Sequence, residues 1–160
     1  MLLFRIEPLE YLLKSGLEQL GGRSWDEIGL DKEIFNYSPN WGRYAAMEAD
    51  DCLRFFAARD EYGDLVGYAS VLIVDNLHDR RIRSAYVQDI YLAPEYRRGL
   101  LPFKGFIDAI CDALAACKVD HVSIGEREND ERGGVGVVYK RLGFKSCERI
   151  WRKVLKKEGA

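Results

Sequence analysis

Residues 84–125 hold the pattern that most narrows how this chain can fold. An apolar run, SAYVQDIYLA, ends at Pro94, and the basic turn Glu95-Tyr96-Arg97-Arg98-Gly99 follows it. Phe103, Phe106, Ile107, Ile110, Cys111 and Leu114 then recur at helical spacing, and 119–125 again has strand character. Proline ends the first run because it has no N–H for a ladder. A strand, an amphipathic helix and a second strand in this order predict a parallel pair joined by a right-handed crossover. Such a pair must be covered on its faces, so the chain needs more sheet and more helix around it.

The flanking sequence supplies both. Residues 52–60 and 65–75 read as two strands joined by the turn Glu61-Tyr62-Gly63-Asp64, a β-hairpin. With 84–93 they predict an antiparallel meander, and 76–83 is a polar connection. Residues 2–6 read as a first strand. Pro8 suits a helix's first turn, Leu9, Leu12, Leu13, Leu17 and Leu20 follow helical spacing, and Gly21-Gly22 is expected to stop that helix. Residues 23–51 mix aromatic and acidic side chains and predict a loop with one or two short helices. The charged stretch 126–134 predicts a loop, 135–142 a short helix ended by Gly143, and 144–155 the last strand. The sum is one α/β (α+β) domain over 1–160. Its central sheet is mixed, mostly antiparallel and of six to seven strands, with helices on both faces.

Bulk properties exclude several functions. The net charge is −2 and the pI about 5.8, so no basic surface points to nucleic acid. No stretch is long enough to span a membrane, and MLLFRIEPLEYLLKSG lacks the pattern of a signal peptide. The four cysteines, Cys52, Cys111, Cys117 and Cys147, form no CxxC pair, and His78 and His121 are the only histidines. A zinc site is not expected. The cysteines read as buried free thiols of a cytoplasmic protein.

The loop after Pro94 carries the first chemical signal. A basic, glycine-containing turn at a helix N-terminus presents unpaired N–H groups and a positive dipole end, so it suits a phosphate. Arg97 and Arg98 add charge. The loop is neither GxxxxGK[ST] nor GxGxxG. Asp89 stands in an otherwise apolar strand. Burial there would raise its pKa and make it a candidate base, although an Asp bonded to a neighbour is the plainer reading.

DIYLAPEYRRG before an amphipathic helix resembles the coenzyme-A-binding segment of GNAT acetyltransferases, and VVYKRLGF resembles their YxxxGF helix–strand junction. VDNLHDRR, AYVQDIYLAPEYRRG and ERIWRKVL are similar, more narrowly, to GNAT acetyltransferases of bacteriophages and prophages. The resemblance implies acetyl-CoA as cofactor and an amine-bearing acceptor, attacked directly in a ternary complex. It puts the pantetheine arm beside Ile90, Tyr91 and Leu92, and the pyrophosphate on the loop containing Arg97, Arg98, Gly99, Leu100, Leu101 and Phe103. Against the family pattern [QR]xxGx[GA], Leu100 and Pro102 replace small residues, and Gly99 is carried instead. This departure leaves open a GNAT-fold module that binds coenzyme A or a protein without turnover. Tyr139, four residues before Gly143-Phe144, stands where the family places its general acid. The family often carries acids in the strand of Asp89, Gln88 suits the holding of a water or the substrate, and His78 lies in a connection that the family places near the acceptor side. The aromatic and acidic segment 25–51 suits the acceptor cleft, and its Trp25, Trp41 and Tyr44 suit the core equally. Members of the superfamily often dimerise. A toxin acting on aminoacyl-tRNA shares this size and fold, but the acidic balance opposes it.

Overall fold

The computed structural model describes residues 1–126, 135–148 and 150–155. Most of the loop expected over 126–134 lies outside the described residues. The elements are β1 (Leu3–Ile6), α1 (Leu9–Lys14), α2 (Leu17–Ile28), α3 (Trp41–Ala49), β2 (Leu53–Arg59), β3 (Leu65–Asp75), β4 (Arg83–Leu92), α4 (Leu101–Ala116), β5 (His121–Ile124) and α5 (Val135–Arg141). They form one sheet in the order β1-β2-β3-β4-β5. The first four strands pair antiparallel, and β4 pairs parallel with β5 across α4, as the hairpin and crossover readings require.

The strands alternate between two apolar layers. Phe56, Ala69, Val71, Ala85 and Leu92 pack with Phe106, Ile110 and Leu114 of α4 on one face. Phe55, Ala57, Tyr68 and Tyr91 pack with Leu9, Leu12, Leu17 and Leu20 of α1 and α2 on the other. The Phe106 ring is fully buried and stacks on Phe4, centroids 5.0 Å apart.

Three expectations need correcting. The sheet has five strands among the described residues, not six to seven, because 144–148 and 150–155 form no ladder. Farther along that segment, Arg152 donates to Asp31 at 3.1 Å. Its apolar residues do not alternate cleanly, so no single face drives it onto an edge. Second, Gly21-Gly22 does not stop a helix. The break comes earlier, at Gly16 (φ 94°), and α2 runs on to Ile28. Gly21 serves packing instead, since a Cβ there would stand 2.0 Å from Tyr37 Oη. Third, Cys52 and Cys147 are exposed and lie outside strands, and Cys111 and Cys117 are only partly covered.

Glu7 joins the first strand to the hairpin. It is buried, and it accepts from Arg5 Nε at 2.6 Å and from Arg59 Nε and Nη2 at 2.7 and 2.5 Å. The Arg59 guanidinium holds its carboxyl below the usual value of 4.5. A carboxyl lowered on folding stabilises above its unfolded pKa, and that contribution fades as pH falls through the folded one. Glu7→Gln should therefore cost about 3 kcal/mol at neutral pH, because it leaves a buried guanidinium without its carboxylate. Urea midpoints of the two proteins should converge as pH drops below the ordinary carboxyl range. A gap that stays constant with pH would remove the ion pair as its cause.

Candidate active site

The site starts from one irregularity. Ser70 pairs with Asp89 and Val71 with Val87, so Gln88 is an extra residue in β4. A bulge reverses the alternation of a strand. Before it, Ala85 and Val87 face the α4 layer, and after it Ile90 and Leu92 do. Asp89 and Tyr91 are thereby set on the opposite face, toward α1, α2 and α3. Pairing with β5 ends at the same place, since only Ser84–Val87 match His121–Ile124. From Gln88 to Leu92 the β5 side of β4 has no strand partner among the described residues, and at its end Arg97 Nε takes up the Leu92 carbonyl.

Asp89 is exposed, not buried as its apolar strand suggested. The bulge explains this by placing it at the mouth of the opening. It accepts from Ser70 Oγ at 3.4 Å. Next to it lies a narrow cavity of about 50 Å³, walled by Tyr37, Trp41, Tyr44, Tyr68 and Ser70 as well as Asp89. Burial, with the nearby Glu18 and Asp89 charges, pushes the Tyr37 phenol up to about 12. Burial and Asp89 raise the Tyr44 phenol, and burial above all raises that of Tyr68. All three phenols are neutral at physiological pH, and Asp89 is one carboxylate that faces them. The Trp41 ring tilts against Tyr44 at 5.5 Å, and its buried Nε1 has no hydrogen-bond partner. Trp41 and Tyr44 thus line this cavity, while Trp25 sits on α2 beside Gly29. Tyr37 falls within the segment 25–51 expected at the acceptor cleft, whereas Tyr68 and Ser70 were not among the expected residues. Tyr68 follows the inward alternation of β3, which is legible, but Tyr37 falls in a loop with no periodicity. His78 is exposed in the β3–β4 connection, away from this lining.

Tyr139 lies on the other side of the opening. It is 8% exposed and packs with Ile90, Phe103 and Ile107. Its hydroxyl donates to Gly125 O at 3.3 Å, one residue past the end of β5. The YxxxGF spacing has a local cause. Gly143 takes φ 85° and donates to Lys140 O, while Phe144 N donates to Tyr139 O at 2.9 Å. These are the two bonds of a Schellman cap, and the Phe144–Tyr139 ring contact at 5.8 Å is its apolar closure. The glycine supplies a conformation that a side chain resists.

The loop after β4 divides the expected cofactor residues. Arg97 is held elsewhere: Nε bonds Leu92 O, Nη1 and Nη2 grip Glu27, and the guanidinium lies 4.8 Å over the Tyr91 ring. Tyr91 Oη donates to the same Glu27 carboxylate at 3.1 Å. Arg98 is exposed and pairs with no described residue. Gly99 takes φ 74° with open space where a Cβ would stand. Leu100 caps α4, and Leu101 and Phe103 fall in its first turn, where N–H groups have no intrahelical acceptor. Pro102 offers none. Leu100 is 45% and Leu101 79% exposed, beside the open edge of β4. Ile90, Tyr91 and Leu92 turn their side chains into the two layers, so only their backbone faces the opening. A strand edge without a ladder partner, a glycine at positive φ with open space beside it, the exposed Arg98 and a helix start fit a ligand with an extended arm and a phosphate end. No cluster of three or more metal-ligating side chains occurs among the described residues. No helix there is long and apolar enough to cross a membrane.

A sequence model of the acetyltransferase (GNAT) family matches residues 17–100, more than half of the chain. No curated protein matches the sequence. Several solved structures share the fold. An acetyltransferase of Trypanosoma brucei is 23% identical, with a TM-score of 0.65 over 97% of this chain and 100% of that one. An aminoglycoside acetyltransferase from an uncultured soil metagenomic sample is 18% identical, with a TM-score of 0.73 over 98% and 99%. Glucosamine-6-phosphate N-acetyltransferase from Arabidopsis thaliana is 16% identical, with a TM-score of 0.69 over 96% and 99%.

The Arg97–Glu27 grip should behave as a structural lock. Arg97→Gln and Glu27→Gln should each lower stability, and together by less than their sum, with a coupling of about 1–2 kcal/mol. A double-mutant cycle on thermal midpoints measures it. Strict additivity would show that the pair contributes nothing.

Proposed function

Since this chain belongs to the acetyltransferase (GNAT) family, we propose that it is an N-acetyltransferase that moves an acetyl group from acetyl-CoA to a primary amine by direct attack in a ternary complex. The observation that carries this reading is the opening of the sheet at Gln88. It sets a carboxylate on one face of β4 and a phenol at the end of β5, with unpaired strand backbone between them.

The residues have separable tasks. The backbone of Ile90, Tyr91 and Leu92 lies along the pantetheine arm. Arg98 and the amides of Gly99, Leu100, Leu101 and Phe103 take the pyrophosphate end. Bound there, acetyl-CoA supplies an activated acyl thioester. An ammonium must lose a proton before it attacks, and Asp89, exposed and steadied by Ser70, accepts that proton directly or through water. Tyr139 Oη holds the proton that a departing thiolate requires. No cysteine stands among these groups, so no acyl-enzyme is needed.

A second reading has one observation in its favour. Arg97, the residue aligned with the first position of the phosphate pattern, is engaged by Glu27. A chain that binds coenzyme A loosely and turns nothing over fits that geometry. Calorimetry with acetyl-CoA, paired with an assay of thiol release on adding amines, separates the two. The narrower resemblance to bacteriophage and prophage acetyltransferases rests on the sequence stretches alone, and a cytoplasmic setting rests on cysteine usage alone. A homodimer is a further proposal, checked by light scattering.

Tyr139→Phe should lower kcat by roughly 10²-fold while leaving the affinity for acetyl-CoA within about threefold, because one proton donor is lost and no binding contact. Unchanged kcat would remove Tyr139 from the reaction.

A further inference from the structure

The net charge of −2 is unevenly spread along the chain. Residues 1–143 hold 18 Lys and Arg against 24 Asp and Glu, while 144–160 hold six against two. An acidic body therefore carries a basic segment. The apolar residues of that segment follow a pattern of their own. Cys147, Ile150, Trp151, Val154 and Leu155 recur at alternating steps of three and one. Such spacing denies a strand an apolar face but gives one to a helix. At 3.6 residues per turn the five fall within an arc of about 140°, and Lys145, Arg149, Arg152, Lys153, Lys156 and Lys157 fall within an opposite arc of about the same width.

The fold leaves the apolar arc uncovered. Ile150, Trp151 and Leu155 are each more than four-fifths exposed, and 150–155 form neither helix nor strand. Neither sheet layer nor the cluster around Tyr139 takes them in. Arg152 ties the segment to Asp31, with most of its own side chain still in solvent.

We infer that the segment carrying Ile150, Trp151, Val154 and Leu155 is a surface anchor for a bilayer with anionic headgroups, and that it becomes helical there. The apolar arc enters the boundary between headgroups and acyl chains, and the basic arc meets the headgroups. Trp151 suits that boundary, because its ring is apolar and its N–H polar. Arg152 exchanges Asp31 for a headgroup phosphate. The pairing of the two arcs selects this partner over others. A protein groove that covers an apolar helix face leaves the opposite face in water and makes no demand on its charge. A nucleic acid would meet the basic arc and leave Ile150, Val154 and Leu155 bare. An anionic bilayer uses both arcs. The acidic body is repelled by the same surface, so contact is confined to the segment.

The test mixes the full chain with vesicles of phosphatidylcholine alone, and with vesicles in which about a third of the lipid is phosphatidylglycerol. Sedimentation reads binding, far-ultraviolet circular dichroism reads helix, and tryptophan emission reads insertion. Affinity for the anionic vesicles should exceed that for the neutral ones by about tenfold or more, with a gain of helix and a blue shift. Added salt should weaken the binding. Trp151→Ala and Lys153→Glu should each weaken it by about tenfold. Trp151→Ala should also remove the blue shift, although Trp25 and Trp41 remain. Both substituted side chains are exposed, so the thermal midpoints should stay at the wild-type value. Equal binding to the two vesicles, or none to either, would overturn the anchor. So would binding that survives Trp151→Ala, or strand-like chemical shifts over 150–155 that persist with anionic vesicles present. Tighter binding to a DNA duplex than to anionic vesicles would overturn it in favour of nucleic acid.

Discussion

Between Val87 and Asp89 the β4 ladder accommodates Gln88, and two consequences follow from that single residue. The alternation of the strand reverses, so Asp89 moves from the α4 layer to the layer formed by α1, α2 and α3. The same distortion turns β4 away from β5, and their pairing ends at Val87 and Ile124. Without the bulge, Asp89 would point into the apolar layer beside Phe106, where a carboxylate has no compensation. The backbone edge from Gln88 to Leu92 would also be consumed by a ladder. The face on which Asp89 stands and the end of the β4–β5 pairing both lie at this break.

The loop after β4 shows how a motif can persist while its parts change work. In sequence, Arg97 and Arg98 look equivalent. In the fold, Arg97 turns back to Leu92 O, Glu27 and the Tyr91 ring, and so fastens α2 to the end of β4. Its charge is matched by Glu27 and is not available to a phosphate. Arg98 and the first turn of α4 remain. Leu100 and Leu101, in place of smaller residues, set apolar side chains in solvent beside the open edge, where an apolar part of a ligand would cover them.

What the sequence revealed and what it hid divide along physical lines. The hairpin over 52–75, the β4–α4–β5 crossover and the Gly143-Phe144 cap were legible because each is written in local periodicity or in a residue that one backbone conformation demands. The bulge at Gln88 was not legible, since its cause is the mismatch between two strands and neither strand shows it alone. Gly21-Gly22 misled for a related reason. Glycine ends helices, but here Gly21 is present so that Tyr37, sixteen residues on in a loop without pattern, can reach the helix. The strand expected over 144–155 failed because its composition is strand-like while its apolar residues favour no single face.

The two proton-handling groups of the proposed reaction lie in different layers, and this is the reason a sheet with an opening suits the chemistry. Asp89 belongs to the side of α1, α2 and α3. Tyr139 belongs to the cluster built on Phe103 and Ile107 of α4. A continuous ladder between β4 and β5 would separate them by a wall of peptide groups. At the opening, a ligand lying along the free edge of β4 is reachable from both layers at once. The acceptor would then arrive from the Asp89 face, and Tyr139 would give its proton to the sulfur as the tetrahedral intermediate formed by amine addition collapses.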